Sequence, residues 1–381
     1  MDFELTPEQR EIRALARDFA EREVAPVIRA FDETHAFPHH LLEKLGRTGL
    51  LGALVPEAYG GAALDYVSYA LAVEELCRVD ASVGITMWAH NSLCTNHIAL
   101  FGTSEQKARY LPRLARAEML GAWGLTEPGS GSDAAAMKSR AVRDGDDFVL
   151  NGTKAFITNA SVSGLAVVMA VTDPARRQKG ISAFILEKGL PGFSAGAPYR
   201  KLGLHASNTA ELHMDAVRVP AASLCGELHM GFVNTMQVLE GGRVAMAAMA
   251  VGIAQGALDQ ALKYMKERSA FGRTLAEFNG LQGMIADIGT EVDAARLLTL
   301  RAAVLKDRGQ PARVAASMAK VFASEVAMRA ATKSLQIHGG AGYITEFPIE
   351  RIFRDAKLTE IGEGTSEVQR MVIARDLLGF R

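Results

Sequence analysis

Apolar residues in the first third of the chain recur with the spacing of an amphipathic helix. They follow one another at three- and four-residue steps from Ile12 to Phe19 and again from Tyr69 to Leu76. Before the first of these runs, Thr6, Pro7 and Gln9 stand where a helix N-cap, its first position and the partner residue of a capping box belong. The pattern predicts a helix that begins beside this threonine and an N-terminal region built of helices.

After about residue 118 the pattern changes to short runs of β-branched and apolar residues. Gly and Pro turns separate these runs, which cover Phe148 to Leu150, Ala166 to Val171, Ile181 to Leu186, and Leu212 to Val219. Because no helical pattern comes between them, we expect an antiparallel sheet, sandwich or barrel rather than the alternating strands and helices of a Rossmann domain.

Helical spacing returns after Gly231 in a sequence rich in Ala, Met and Leu, and a last helical pattern runs from Val368 to Leu378. Many small residues between Arg243 and Gly256 would let helices approach closely, which favours a tightly packed core over a membrane segment. The sequence therefore predicts an α+β protein with an all-α domain over residues 1–117, a central β domain over 118–228 and a C-terminal helical bundle over 229–381.

Composition narrows the classes of function. The 42 Lys and Arg residues balance 43 Asp and Glu residues, so no overall field draws the protein onto nucleic acid or an anionic membrane. No run of 18 apolar residues is free of charge, and we therefore predict no transmembrane segment.

The cysteines and the N-terminus bear on the compartment. Cys77, Cys94 and Cys225 lie far apart and lack metal-ligand spacing, which predicts buried thiols in a reducing compartment, no disulfide framework and no metal site. The sequence MDFELTPEQR is acidic and polar, unlike a secretion signal or a transit peptide. We expect a cytoplasmic protein.

Two segments of the β region are candidates for binding a ligand. The segment from Leu125 to Asp133 (LTEPGSGSD), called the Gly/Ser loop below, offers backbone N–H groups and hydroxyls that suit a phosphate or the polar edge of a flavin. An ordinary turn cluster at a domain boundary has the same composition. The segment from Asn151 to Asn159 (NGTKAFITN) joins an Asn-Gly turn to a strand, a pattern that is also typical of a plain hairpin.

Two further candidates lie in the helical C-terminal region. In RSAFG, Arg268 and Phe271 are three residues apart, so we expect them to share a helical face that could grip a pyrophosphate, although surface arginines are often only solvated. The tract from Gln336 to Gly342 (QIHGGAG) predicts a glycine turn with exposed amides after a helix, without GxGxxG spacing.

The most unusual carboxylate is Glu363. It stands between Gly362 and Gly364, just before Thr365 or Ser366 can cap the last helix. The glycines would let a flat ligand approach the backbone, the helix N-terminus favours negative charge, and burial would raise the pKa of the carboxyl. These opposed effects can tune a catalytic base. Alternatively, the acid only complements the helix dipole.

Taken together, the motifs decide between these alternatives. LTEPGSGSD, NGTKAFITN, RSAFG, QIHGGAGY with FRDAK, and EIGEGTSEVQR occur in the order and approximate spacing of acyl-CoA dehydrogenases, and the chain resembles that family over nearly its whole length. The resemblance implies an N-terminal helical domain, a central β-domain and a C-terminal four-helix domain. It also implies FAD held between domains and across a subunit interface, in a homotetramer arranged as a dimer of dimers.

The resemblance also gives the motif residues roles. It implies that the flavin is lined by Trp123, Leu125, Thr126, Ser132, Phe156, Ile157, Thr158, Thr365 and Glu367, with the two threonines Thr126 and Thr158 as the preferred contacts. The pyrophosphate or adenosine of FAD would be contacted by Arg268, Phe271, Asn279, Gln336, Gly339 and Gly340. Contacts to the acyl-CoA would come from Ser132, Glu240, Arg243 and Gly364.

Glu363 matches the catalytic base of the short- and medium-chain members of the family. Isovaleryl and long-chain members carry their base on another helix, at a position that matches Gly242. Because glycine occupies that position, Glu363 is the base that the resemblance supports, ahead of Glu360, Glu367 and Glu240.

Some positions depart from the family pattern. Phe156 replaces a common Trp, Asn279 replaces a usual Gln, and Glu240 stands where many members have Asp. The segment SNTAEL, residues 207–212, differs from the familiar SDTxEL. These departures leave the CoA contacts open.

The implied activity is α,β-dehydrogenation of an acyl-CoA to a trans-2-enoyl-CoA. Glu363 would remove the α-proton, the flavin would accept the β-hydride, and an electron-transfer flavoprotein would take up the electrons. An acyl-CoA oxidase, a DNA-binding alkylation-response relative and a flavin-free structural descendant are the alternatives, and the net charge of −1 disfavours the DNA-binding one. Chain length and branching of the acyl group stay open.

Overall fold

The computed structural model describes residues 4–380; Met1 to Phe3, which begin the polar N-terminal sequence, and Arg381 lie outside this range. The N-terminal region is helical, as predicted. Its helices are α1 (Pro7–Phe19), α2 (Ile28–Thr34), α3 (His39–Arg47), α4 (Tyr66–Val79), α5 (Ala81–Trp88), α6 (Asn96–Phe101) and α7 (Ser104–Ala115). π-Helical turns follow α1 over Ala20–Val24 and join α5 to α6 over Ala89–Thr95.

The start of α1 confirms the predicted capping box. The hydroxyl of Thr6 accepts a hydrogen bond from the N–H of Gln9 at 3.2 Å, and the Gln9 side chain accepts one from the N–H of Thr6 at 3.0 Å. Two donors that the first turn would leave unpaired are thereby satisfied.

The central region is one curled sheet of seven strands. The strands are β1 (Gly121–Gly124), β2 (Arg140–Asp144), β3 (Asp147–Thr158), β4 (Leu165–Val171), β5 (Ile181–Glu187), β6 (Phe193–Ala195) and β7 (Thr209–Pro220). Their order is β1-β4-β2-β3-β7-β6, with β5 paired to β4. The four predicted strand runs are confirmed, and most of the pairing is antiparallel.

The sheet also contains parallel pairs, which the sequence pattern did not predict. β4 runs parallel to β1 and touches β2 in parallel at its far end. The β2–β3 hairpin lies between β1 and β4 in the sequence, and it supplies the long connection that a parallel pair needs.

The C-terminal region is again helical. It comprises α8 (Gly231–Glu267), a small hairpin of β8 (Ser269–Ala270) and β9 (Arg273–Thr274), α9 (Asn279–Asp307), α10 (Arg313–His338), α11 (Ile349–Thr359) and α12 (Ser366–Leu377). Helix α10 packs against α8, α9, α11 and α12, so it forms the centre of the bundle.

Helix α8 joins this bundle to the N-terminal helices through small residues. A Cβ atom at Gly252 would lie 2.3 Å from the carbonyl oxygen of Glu74, and one at Gly256 would lie 2.3 Å from that of Arg78, both on α4. The predicted close helix approach is confirmed. By length and composition α8 is apolar enough to cross a membrane, but 83% of its most apolar stretch is buried within the protein, as in a core helix.

Candidate active site

Glu363 lies in the loop between α11 and α12, residues 360–365, which we call the base loop. The hydroxyl of Thr365 accepts a hydrogen bond from the N–H of Val368 at 3.4 Å, so this threonine caps α12 as predicted. Glu363 and Gly364 both have left-handed backbone conformations, with φ of 57° and 88°. Such a φ is costly for a residue with a Cβ atom and is often found at functional sites.

One oxygen of the Glu363 carboxylate makes no hydrogen bond within the described part of the chain. Its Oε2 is buried and has no hydrogen-bonding partner among residues 4–380. Burial raises the pKa of this carboxyl to about 7, while Arg243 and Lys320 act in the opposite direction. A buried acid without a partner costs folding free energy, and a pKa near neutrality suits a group that exchanges protons.

Gly242 of α8 forms the wall against which this carboxylate packs. A Cβ atom at position 242 would lie only 2.6 Å from Oε2 of Glu363 and 3.1 Å from Cδ2 of Leu93. The preceding residue, Gly241, is equally close to a side chain, because its Cβ atom would lie 2.9 Å from the hydroxyl oxygen of Tyr66. The two glycines therefore make room for Glu363 and Tyr66 beside the helix.

Two side chains hold the base loop from behind, and sequence reasoning missed both. The ammonium of Lys320, on α10, donates to the carbonyl oxygen of Gly364 at 2.7 Å. The Nε2 atom of Gln369, on α12, donates to the carbonyl oxygens of Glu363 at 2.9 Å and Gly364 at 3.0 Å. The signal for Lys320 was its place four residues from the buried Ala316 and Ser324, on the apolar side of α10.

Arg243 and Glu240 lie near this site on α8. Arg243 is buried, and its Nε atom has no hydrogen-bonding partner in the described part of the chain. Burial lowers the pKa of Arg243, whereas Glu363 and Glu240 raise it. Contacts from these residues to an acyl-CoA stay predictions. Glu360 ends α11 and pairs with Lys357, and Glu367 is exposed in the first turn of α12.

The Gly/Ser loop is held by a buried ion pair. Lys154 of β3 is 0% exposed, and its ammonium lies 2.7 Å from Oε1 of Glu127 and 3.3 Å from the carbonyl oxygen of Leu125. The Glu127 carboxylate also accepts hydrogen bonds from the backbone N–H groups of Lys138 at 2.6 Å and Ser139 at 2.9 Å. Burial raises the pKa of Glu127, but these partners outweigh it and lower the pKa overall.

The predicted flavin-contacting residues of β1 and β3 lie at neighbouring strand ends. The carbonyl oxygen of Thr126 accepts a hydrogen bond from the N–H of Ala155 at 2.8 Å, which places its half-buried hydroxyl beside the end of β3. There a bulge turns Phe156 to a φ of 58° and leaves it 65% exposed, while Ile157 points into the core. Thr158 is half-buried. The Phe156 ring, which stacks on Tyr199 at a centroid distance of 5.3 Å, and the threonine hydroxyls at these strand ends offer an apolar surface and polar groups that suit a flat heteroaromatic ring with a polar edge.

Trp123 and Ser132, two further predicted flavin contacts, differ in burial. Trp123 is buried, and its Nε1 donates to Nδ1 of His97 at 3.2 Å, whereas Ser132 is exposed in the Gly/Ser loop. Burial lowers the pKa of His97 to about 3, so its ring is neutral. Sequence reasoning did not identify His97.

The structure overturns one predicted geometry. Helix α8 ends at Glu267, and Arg268 is already extended, with φ of −83° and ψ of 129°. The next residues form the β8–β9 hairpin, with Phe271 at a φ of 52° and Gly272 at 79° in its two-residue turn. The prediction that Arg268 and Phe271 share a helical face is therefore wrong. Phe271 is 95% exposed instead.

The predicted glycine turn after α10 is confirmed and lies near this hairpin. Gln336, Gly339 and Gly340 are exposed, and Gly339 has a φ of 57°. The ring of His338, the last residue of α10, stacks on the ring of Tyr264 at a centroid distance of 4.3 Å. Because the N–H of Arg268 donates to the carbonyl oxygen of Tyr264 at 2.8 Å, the hairpin and the turn share one end of the helical domain. Asn279, also exposed, begins α9 after the hairpin.

Comparison with known proteins agrees over the full chain. Residues 6–118, 122–217 and 229–378 match the N-terminal, middle and C-terminal domains of acyl-CoA dehydrogenase. The short-chain specific acyl-CoA dehydrogenase of Clostridium acetobutylicum is 48% identical over 374 residues, which is 98% of this chain and 99% of that protein.

Solved structures show the same fold. Butyryl-CoA dehydrogenase from Megasphaera elsdenii matches with a TM-score of 0.97 and 44% identity over 99% of this chain and 100% of that one. A chain in a study of the electron transferring flavoprotein of Acidaminococcus fermentans matches with a TM-score of 0.98 and 49% identity over the same shares. The chain therefore belongs to the acyl-CoA dehydrogenase family of FAD-dependent oxidoreductases, which act on a CH–CH bond.

Proposed function

We propose that this acyl-CoA dehydrogenase acts on a short acyl-CoA, with Glu363 as the base that removes the α-proton. The observation that supports this role best is the buried, unpartnered Oε2 of Glu363, on a carboxyl whose pKa burial raises to about 7. The preference for a short chain comes from the relatives named short-chain specific acyl-CoA dehydrogenase and butyryl-CoA dehydrogenase.

The base loop supplies both groups that the reaction needs from the protein. An α-proton beside a thioester is weakly acidic, so its removal needs an aligned base and a hydrogen-bond donor on the carbonyl oxygen. Glu363 provides the carboxylate, and its backbone N–H is a donor close to that carboxylate. The left-handed φ of Glu363 sets the direction of its Cα–Cβ bond relative to its own N–H.

FAD, when bound, supplies the acceptor for the β-hydride. We place its ring against Phe156, Thr126 and Thr158, because they combine an exposed aromatic face with two hydroxyls. Contacts from the other residues that the family resemblance assigns to the flavin are part of the same proposal.

We place the distal part of FAD at the end of the helical domain that carries Arg268, Phe271 and the glycine turn. These residues are exposed and lie far along α8 and α10 from the base loop, which suits contacts to a cofactor shared with a second copy. A homotetramer is therefore part of the proposal. Light scattering of the yellow protein tests it, and a monomeric mass with full FAD content would contradict it.

An electron-transfer flavoprotein is the acceptor that we propose, because a chain in the study of such a flavoprotein matches this one closely. Reduced enzyme should then reduce that partner and release little peroxide in air. Rapid peroxide formation without a partner would favour the oxidase instead. We also keep the cytoplasmic location as a proposal, supported by three buried free cysteines.

The decisive experiment is anaerobic flavin bleaching by straight and branched acyl-CoAs of increasing length. We expect short chains to bleach the wild-type flavin fastest. Glu363→Gln should keep FAD but lose about 10²- to 10⁴-fold in the rate of bleaching, the usual contribution of a general base.

Two matched variants make this experiment specific. Glu325→Gln changes an acid on α10 that pairs with Arg370 at 2.6 Å, and it should bleach at the wild-type rate. Glu360→Gln tests the neighbouring acid. If Glu363→Gln bleaches normally while Glu360→Gln does not, the base has been assigned to the wrong residue.

A further inference from the structure

Lys320 is a buried lysine for which neither the family resemblance nor the proposed reaction gives a role. It is 0% exposed on α10, the central helix of the C-terminal bundle. Removing an ammonium from water is costly unless strong partners compensate. Its neighbours on the same helix face, Ala316, Ala323 and Ser324, are small and buried, so a small apolar residue would suit this position by packing alone.

The contact that compensates Lys320 is made to the base loop. Its ammonium donates to the carbonyl oxygen of Gly364 at 2.7 Å, and Gln369 donates to the same oxygen at 3.0 Å. Gln369 also holds the carbonyl oxygen of Glu363 at 2.9 Å. The two peptides that follow the Glu363 side chain are thus fixed from α10 and from α12.

These contacts act on the strained part of the loop. The left-handed conformation of Glu363, unlike that of Gly364, is strained and persists only if the surroundings hold it. If the Gly364 carbonyl were released, this peptide could rotate, and the carboxylate beside Gly242 would lose its fixed direction. Catalysis falls steeply when a reacting group moves by as little as 1 Å.

Charge adds a second effect to this geometry. Lys320 and Arg243 are the cations that lower the pKa of Glu363 against the effect of burial. The acids Glu360 and Glu367 face Lys320, and Glu240 faces Arg243, so each cation also feels neighbouring carboxylates. Burial lowers the pKa of Lys320 itself to about 8, so below that pH its ammonium is one of the two cations that favour the ionised form of Glu363, and Lys320→Met removes it.

We propose that Lys320 is a positioning residue for catalysis, which holds the Gly364 carbonyl so that the base loop presents Glu363 in one direction. This inference rests on the proposed role of Glu363 as the base. Lys320 itself touches neither substrate nor cofactor in this proposal. Gln369 shares the geometric part of the role but carries no charge.

The test compares Lys320→Met, Lys320→Arg and Gln369→Leu in the flavin-loaded enzyme. The rate constant of anaerobic flavin bleaching by butyryl-CoA is measured from pH 5.5 to 9, together with the FAD content. We expect Lys320→Met to slow bleaching about 10- to 100-fold and to move the pH midpoint upward by about one unit, with FAD content unchanged. Lys320→Arg should restore the midpoint.

Gln369→Leu separates geometry from charge. It should slow bleaching but leave the pH midpoint at the wild-type value, because no charge is lost. Lys333→Met is the control on the same helix, since Lys333 pairs with Asp287 on the surface at 2.9 Å, and it should change neither quantity.

The outcomes distinguish this inference from the proposal on which it rests. A wild-type rate and midpoint in Lys320→Met, with Glu363→Gln inactive, would overturn the role of Lys320 and leave the base assignment intact. An active Glu363→Gln would overturn the base assignment first. Should Lys320→Met lose its flavin, Lys320→Gln, which is shorter and uncharged, replaces it, and a wild-type rate and midpoint in that variant would overturn the role of Lys320.

Discussion

The Gly/Ser loop and the base loop are each held by a buried lysine, but the two lysines differ in whether they pair directly with the acid of the loop. Lys154 of the sheet pairs directly with Glu127 at 2.7 Å. Lys320 of the bundle bonds instead to a backbone carbonyl at the same distance of 2.7 Å, next to Glu363. Glu127 receives further hydrogen bonds from backbone N–H groups, whereas Oε2 of Glu363 receives none from the described residues.

This difference separates an acid that is held ionised by an ion pair from one whose pKa lies near neutrality. The pKa of Glu127 is lowered by its partners, so it stays ionised and holds the Gly/Ser loop. The pKa of Glu363 is raised to about 7, because burial outweighs the two cations near it. A lysine that bonds to the backbone can fix a loop without neutralising the reactivity of the acid, which a direct pair would do.

The largest effect is expected from breaking the buried ion pair between Lys154 and Glu127. Lys154→Met should leave the Glu127 carboxylate buried without its cation and lower the free energy of unfolding by about 3–5 kcal/mol. Urea denaturation and FAD content would measure it. The double variant Lys154→Met with Glu127→Gln should recover part of the loss, since it buries no unpaired charge. Equal stability of the single variant and the wild type would refute the structural role of the pair.

A smaller effect is expected from placing a methyl group against the unpartnered carboxylate oxygen of Glu363. Gly242→Ala would place a Cβ atom 2.6 Å from Oε2 of Glu363, so either the carboxylate or helix α8 must move. We expect a loss of about 1–3 kcal/mol in unfolding free energy and slower flavin bleaching. Gly289→Ala, a control on α9 whose new methyl group would meet open space, should bleach normally. Normal bleaching by Gly242→Ala would show that the carboxylate works from another position.

The smallest effect concerns the pH dependence of stability. Because its pKa rises from 4.5 to about 7 on folding, Glu363 holds a proton in the folded protein that the unfolded chain releases, and this costs stability as the pH rises through that window. Glu363→Gln should therefore be more stable than the wild type at pH 8 by about 1–2 kcal/mol, after allowance for partial exposure. At pH 4.5 the advantage should vanish. Urea midpoints at both pH values measure it, and a constant difference would argue against the raised pKa.

Local patterns in the sequence predicted much of this architecture, while long-range pairing escaped them. The cap at Thr6, the strand runs and the cap at Thr365 depend on neighbours a few residues away, and all are confirmed. The hairpin after α8 was missed because Arg268 continues the helical spacing although the chain leaves the helix there.

The candidate site was predicted only in part for the same reason. Glu363 was identified from its glycines and the following helix, but the hydrogen bond that holds the next residue, Gly364, comes from Lys320, 44 residues away from Gly364. Lys154 and Glu127 are 27 residues apart and meet only when β3 forms beside the Gly/Ser loop. Lys154 lies an even number of residues from Phe148 and Leu150 on β3, and this alternation was the available signal that its side chain points into the core.

Gly242 has a consequence for how this family can diversify. A side chain at position 242 and the carboxylate of Glu363 compete for one volume, since they would lie 2.6 Å apart. The two positions are therefore coupled: a side chain at 242 displaces the Glu363 carboxylate from its present place, and loss of Glu363 alone removes the proposed base. Paired substitutions at 242 and 363 would avoid an intermediate in which the two side chains compete for this volume. In relatives, we therefore expect an acid at position 363 to occur together with a glycine at position 242.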